Sequence, residues 1–192
     1  MRAGAGLAVL LTAAGLYADN GLVEGRADSP VRVLIFEDLQ CSDCADFRVM
    51  LDQRILPRYG ARVAFLHRDF PLAKHALARR AAIAARFFSE RDAAVGIEYR
   101  RQTLASVAGN TEEKFLAALS AFARAHGIEP AAAASSLSDS RLAALVDKDY
   151  QEGVARGVAR TPTVFVNGRP FIETFTFEEI SKGIDEALAQ AH

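Results

Sequence analysis

Two cysteines three residues apart, Cys41 and Cys44, lie between a β-branched run and an amphipathic stretch. No other feature of the chain constrains its fold as much. Residues 31–37 (VRVLIFE) read as a strand, apolar enough at Val33, Leu34, Ile35 and Phe36 to be buried on both faces and so central in a sheet. After Asp38, Leu39 and Gln40 come the cysteines. Phe47, Met50, Leu51, Ile55 and Leu56 then recur at helical spacing, predicting a helix that ends near Pro57. Residues 63–66 read as a second strand, broken by a turn at Arg68, Asp69, Phe70 and Pro71. Strand, cysteines, helix, strand is the beginning of a βαβ unit.

The spacing of the cysteines has a chemical use. Residues three apart on a helix share a face, and their Cα atoms fall within the roughly 4.4–6.8 Å that a disulfide can bridge. The two thiols can therefore close and open without refolding. Cys41 is expected where unpaired helix amides and the macrodipole favour an anion, so it reads as the attacking thiolate. Cys44, a turn deeper, reads as the thiol that resolves a mixed disulfide. A bridge closing so short a loop removes little chain entropy, which makes a purely stabilising role a poor use of the pair. A metal reading needs further ligands from His67, His75, His126 or His192, and these form no close-spaced pair. Each histidine alone reads as a surface or helix-terminal residue. Two thiols could still capture a soft ion such as Cu(I) or Zn(II) in a non-catalytic chaperone or sensor.

Beyond residue 75 the pattern becomes almost continuously helical, with about four helices up to Gly157. Asn110 with Glu113 fits a capping box, and Asp139 or Ser140 fits a second cap. The last part returns to β structure. Residues 163–166 (TVFV) read as a strand, Asn167-Gly168 as a hairpin turn and residues 169–172 as its partner. A closing helix is expected from Thr176, with Glu178 and Glu179 in its first turn. Pro162, just before the strand, cannot donate to a ladder and belongs at a strand start or a special bend.

The 192 residues, 51% of them hydrophobic and 24% charged, suit one globular domain with a sizeable core and exclude a disordered or fibrous chain. With 23 basic and 24 acidic residues there is no cationic excess to neutralise phosphates, which argues against nucleic acid as a partner. Arg2 precedes an apolar run at 3–18 that is shorter than the roughly 20 residues a membrane-crossing helix needs. Residues 1–20 are therefore expected to be a signal peptide, with an uncleaved membrane anchor or a buried N-terminal helix as alternatives. Residues 21–30 are expected to be a linker.

Three segments together resemble the DsbA-like branch of the thioredoxin-fold family of thiol-disulfide oxidoreductases. They are FEDLQCSDCADF at 36–47, RDFPL at 68–72 followed by His75 and an Ala-rich helix, and GVARTPTVFVNGRPF at 157–171. The resemblance implies an α/β, thioredoxin-like fold over residues 31–192 with an inserted α-helical block at about 73–157. It implies a protein-disulfide oxidoreductase using Cys41 and Cys44, with no cofactor and no metal. It also implies a cis Thr161-Pro162 bond against the cysteine pair, shaping the groove where an extended substrate segment docks. The partners implied are exported proteins carrying thiols or disulfides and a membrane redox protein that resets the pair. The implied location is periplasmic or otherwise extracytoplasmic, with residues 3–18 as a tether if they are not removed.

Two departures from the family pattern bear on the site. The dipeptide between the cysteines is Ser42-Asp43 in place of the usual proline, aromatic or histidine. The Asp43 carboxylate should disfavour a Cys41 thiolate, while Ser42 can donate a hydrogen bond that favours it. The buried acid that many relatives carry six residues before the first cysteine is replaced by Ile35. Glu37 and Asp38 lie closer to the cysteines and read first as exposed loop acids, with a proton relay as their second role.

Overall fold

At the centre of a five-stranded sheet runs β2 (Arg32–Glu37), hydrogen-bonded on both sides as its unbroken apolar sequence requires. The computed structural model describes residues 22–107 and 111–191. The leader expected at 1–20 lies outside them. Among the described residues, no helix is long and apolar enough to cross a membrane. The sheet order is β1-β3-β2-β4-β5. β3 (Ala64–Asp69) runs parallel to β2, whereas β4 (Thr163–Val166) runs antiparallel to β2 and pairs with β5 (Arg169–Ile172). The β4–β5 turn has positive φ at Asn167 (43°) and Gly168 (93°), the backbone that an Asn-Gly hairpin turn requires.

Where a linker is expected, residues 22–30 contribute β1 (Val23–Gly25), which pairs antiparallel with β3. Leu22 is fully buried, and that apolar contact and the free edge of β3 hold the segment down. β3 also runs further than the pattern indicates. Arg68 and Asp69 belong to the strand and not to a turn, because buried ion pairs neutralise both side chains.

The two faces of the sheet carry different cores. On one face, Val33, Ile35, Phe65 and Val164 meet Phe47, Leu51 and Ile55 from the cysteine-bearing helix and Ile180 and Ile184 from α8 (Phe177–Gln190). On the other, Leu34, Phe36, Leu66 and Phe165 meet Phe70, Val158 and Tyr150. Each such fully buried side chain contributes about 1.5–3 kcal/mol. The cysteine-bearing helix, α1 (Ser42–Met50), continues through a π-helical segment (Leu51–Ile55) into α2 (Leu56–Tyr59). It thus runs past Pro57, which sits in the first turn after the π segment, where its missing N–H costs little.

Five helices, not four, lie between β3 and β4 among the described residues. They are α3 (Ala78–Ser89), α4 (Ala93–Ala105), α5 (Glu112–Ala125), α6 (Pro130–Ser136) and α7 (Ser140–Ala155). The short α6 begins at Pro130, and Asp139 caps α7. Asn110 lies outside the described residues, and the α5 cap is Thr111, whose side chain accepts from the Lys114 amide. Thr176 and Glu179 form a reciprocal capping box on α8. Phe88, Tyr99, Phe115, Leu119 and Phe122 centre a helical core that extends to Leu39, Cys41 and Cys44. The cysteines therefore sit where the helical block meets the end of β2.

Candidate active site

Cys41 is the N-cap of α1, with an extended backbone (φ −89°, ψ 128°), so its sulfur faces the unpaired amides of the first turn. Its N–H donates to the Asp38 carbonyl at 3.1 Å, and its own carbonyl accepts from Ala45 at 3.1 Å. Both cysteines are free thiols, with Cys41 4% and Cys44 0% exposed. The Cys41 thiol donates to the Thr161 carbonyl at 3.4 Å, and the Asp38 N–H donates to Cys44 Sγ at 3.4 Å. The Thr161-Pro162 bond is cis.

The two sulfurs have opposite electrostatic environments. A hydrogen bond from the Cys44 thiol is the main cause lowering Cys41, to about 6, and it outweighs burial. The Thr161 side chain, whose hydroxyl has no other partner, and the Cys44 and Asp43 backbone amides act in the same direction. Cys44 moves well above its ordinary value, first because it is buried, then because an ionised Cys41 and the Glu37 charge disfavour a second anion beside them. One sulfur is poised as a thiolate at neutral pH and the other is held as a thiol.

Cys41 opens into a groove. It is lined by Leu72, Ala73 and Lys74 from the segment after β3, by residues 159–161 from the segment before β4, and by Asp43 and Glu173. Past Asp43 and Glu173 the depression continues over Phe47, Met50 and Phe175.

A family model described as Thioredoxin matches residues 18–186. The chain belongs to the thioredoxin family. Solved structures of DsbA type share its fold, helical insertion included. BdbD from Bacillus subtilis superposes with a TM-score of 0.79 at 22% identity, covering 88% of this chain and 92% of its own. Alpha-DsbA1 from Wolbachia pipientis gives 0.79 at 15% identity, covering 94% and 97%. DsbA from Chlamydia trachomatis gives 0.76 at 19%, covering 91% and 94%. No curated protein sequence matches the chain.

Within this thioredoxin-family site, the residues singled out from sequence occupy three settings. Cys41 and Thr161 line the groove, with Cys44 buried beside Cys41 and Pro162 joined to Thr161 by the cis bond. Ser42 and Asp43 are exposed on the first turn of α1, and the Asp43 group among the leading influences on Cys41 is its backbone amide. Glu37 and Asp38 are not exposed loop acids. They are 2% and 1% exposed, because the end of β2 is covered by the helical block.

Glu37 accepts from His67 Nδ1 at 2.7 Å and from Arg100 Nε at 2.8 Å. Burial pushes the Glu37 carboxyl up, but Arg100 and His67 outweigh it and hold it well below the carboxylate range. The Asp38 carboxylate accepts from the Gln40 amide (2.7 Å), the Leu72 amide (2.7 Å) and His75 Nδ1 (2.8 Å).

Glu37 belongs to a buried ionic network that the sequence reading missed. Arg100 also donates to Asp69 at 2.6 Å, and Asp69 accepts from Arg86 at 2.6 Å. Arg86 in turn pairs with Asp149 of α7. His67 is fully buried, not a surface residue, and its Nε2 lies 2.9 Å from Glu24 of β1. Burial pushes His67 down, but Glu37 and Glu24 outweigh it and raise its pKa. The available signal was the presence of Arg86 and Arg100 in helices otherwise rich in apolar and small residues, together with Arg68-Asp69 at the end of an apolar strand. A charge so placed must find a partner. Among the described residues, no group of three or more His, Cys, Asp or Glu side chains is arranged to hold a metal ion.

Proposed function

We propose that this chain is an exported thiol-disulfide oxidoreductase that exchanges disulfides with protein substrates through Cys41 and Cys44. The observation that carries the reading is the asymmetry of the pair: Cys41 lowered to about 6 at a helix N-terminus, Cys44 buried and raised beside it. In the oxidising direction a substrate thiolate attacks Cys41 Sγ of the closed pair. The Cys41–Cys44 bond breaks, a mixed disulfide forms, and Cys44 leaves with the electron pair and takes up a proton. A second substrate thiolate then attacks the substrate sulfur and releases Cys41 as a thiolate. The substrate has lost two electrons to the cysteine pair, and a membrane redox protein removes them to reset it. In the reducing direction Cys41 attacks a substrate disulfide and Cys44 resolves the intermediate. Which direction runs is set by the potential of the pair against that of its compartment.

Thr161 and Pro162 shape the wall along which an extended substrate segment lies. Glu37 and Asp38 govern the proton on Cys44: the Glu37 charge opposes early ionisation, and the Asp38 N–H at 3.4 Å stabilises the thiolate once it forms. Export rests on the apolar run at 3–18 behind Arg2.

The test is refolding of a reduced, disulfide-containing protein, with insulin reduction alongside. Cys41→Ser abolishes both activities, and Cys44→Ser accumulates a mixed disulfide with substrate. Exchange that persists in both variants overturns the reading. Stoichiometric copper or zinc retention with no exchange favours the soft-metal module instead.

A further inference from the structure

Residues 70–77, between β3 and α3, include Pro71 and form neither a ladder nor a helix, so other groups must satisfy their backbone donors. Three of those donors, the Phe70, Leu72 and Leu77 amides, are met by the four residues before Cys41. The Phe70 amide donates to the Glu37 carbonyl at 2.9 Å. The Leu72 amide and His75 Nδ1 both donate to Asp38 Oδ2, at 2.7 and 2.8 Å. The Leu77 amide donates to the Gln40 side-chain oxygen at 2.9 Å. The held segment carries Leu72, Ala73 and Lys74, which line the groove together with Cys41 and Thr161 and form its wall on this side. Asp38 meanwhile touches both cysteines through its backbone: its carbonyl accepts the Cys41 N–H and its N–H reaches Cys44 Sγ.

Resting on the disulfide-exchange reading, we propose that Asp38 and His75 form a clasp that sets this groove wall in register with Cys41. His75 is then a positioning residue for substrate engagement. A carboxylate only accepts, so Nδ1 carries the proton in this bond. Among the described residues, His75 makes the tether to Asp38 from a side chain of the wall segment itself, and its side chain is 20% exposed, so substitution there spares the core.

The experiment uses the full chain and compares exchange of a cysteine-containing peptide disulfide with exchange of oxidised glutathione, which is too small to span the wall. His75→Ala is expected to raise the peptide KM about five- to tenfold, with kcat falling less than about twofold. His75→Asn, whose amide N–H can replace Nδ1–H, restores most of it. Amide hydrogen exchange at Leu72 speeds up in His75→Ala and returns toward the parent rate in His75→Asn. A peptide KM unchanged in His75→Ala overturns the clasp, and so do equal losses with peptide and glutathione, or an unchanged Leu72 amide. A parent protein that exchanges with neither substrate overturns the oxidoreductase reading, and the assignment of His75 to substrate engagement falls with it.

Discussion

The Cys41 thiol donates to the carbonyl oxygen of Thr161, a residue 120 positions away in sequence, at 3.4 Å. The contact joins the helix-tip sulfur to the residue that precedes the cis proline, so groups on Thr161 act directly on Cys41 ionisation. Thr161→Val keeps the carbonyl and the shape while removing the hydroxyl. The Cys41 midpoint should rise from about 6, by roughly half to one pH unit. Thiolate absorbance against pH measures it, and an unmoved midpoint removes the hydroxyl from the account.

Asp43 supplies two opposing influences. Its backbone amide favours the Cys41 thiolate, and its exposed carboxylate, as a nearby negative charge, is expected to disfavour it. Asp43→Asn retains the amide, so the midpoint should fall, by less than about half a pH unit in physiological salt and by more in dilute buffer. A shift of the opposite sign would show that the carboxylate is not acting as a nearby negative charge.

Stability of the disulfide-closed protein should peak in mildly acidic solution. Burial pushes Glu24 up, but His67 and Arg48 outweigh it and hold it at about 2, against an ordinary 4.5. Its contribution is therefore complete above that ordinary value and lost as the pH falls toward 2; Glu37 shifts in the same direction. Asp149 has the opposite sign: burial and the Asp69 carboxylate raise it from 3.8 to about 6, so the folded state gains stability as the pH falls through that interval. His67, raised above 6.5, contributes below that value and loses its contribution as the pH climbs through its folded pKa. With the cysteine pair closed as a disulfide, so that the lowered Cys41 thiol adds no stability between about pH 6 and 9, urea midpoints at constant ionic strength should be highest between about pH 4.5 and 6 and decline on both sides. Asp149→Asn should flatten the gain between about pH 6 and 4. A midpoint that rises steadily from acid to neutral solution excludes this balance.

Gly153 of α7 lies directly against the sheet. A Cβ there would come within 2.6 Å of the Phe70 ring and 3.1 Å of Phe36. Gly153→Ala should therefore destabilise the fold by about 1–3 kcal/mol, although alanine suits a helix better than glycine. Denaturant unfolding reads the difference, and a stabilised variant would mean that the rings yield freely.

What the sequence made legible was local. The β2 run, the Cys-x-x-Cys helix start, the Asn167-Gly168 turn and the Thr176 cap each depend on neighbours within a few residues, and each stands where its pattern places it. Glu37 and Asp38 looked exposed because polarity near a strand end ordinarily means solvent. They are buried because Arg100, His67 and His75 arrive from elsewhere in the chain to satisfy them. β1 escaped notice because a three-residue strand has no period of its own, and the open edge of β3 is what makes it a strand. Pro57 suggested a helix end, but the preceding π segment alters which carbonyls are in use.

The sheet order carries a mechanical corollary. β3 and β4 flank β2, the strand that leads into the cysteine-bearing helix, and the helical block is the chain between them. One side of the groove is the start of that excursion and the other is its return, so the two sides behave like the jaws of a calliper whose hinge is the seat of the helical block. A change that tilts the seat, even one far from sulfur, resets the gape of the jaws.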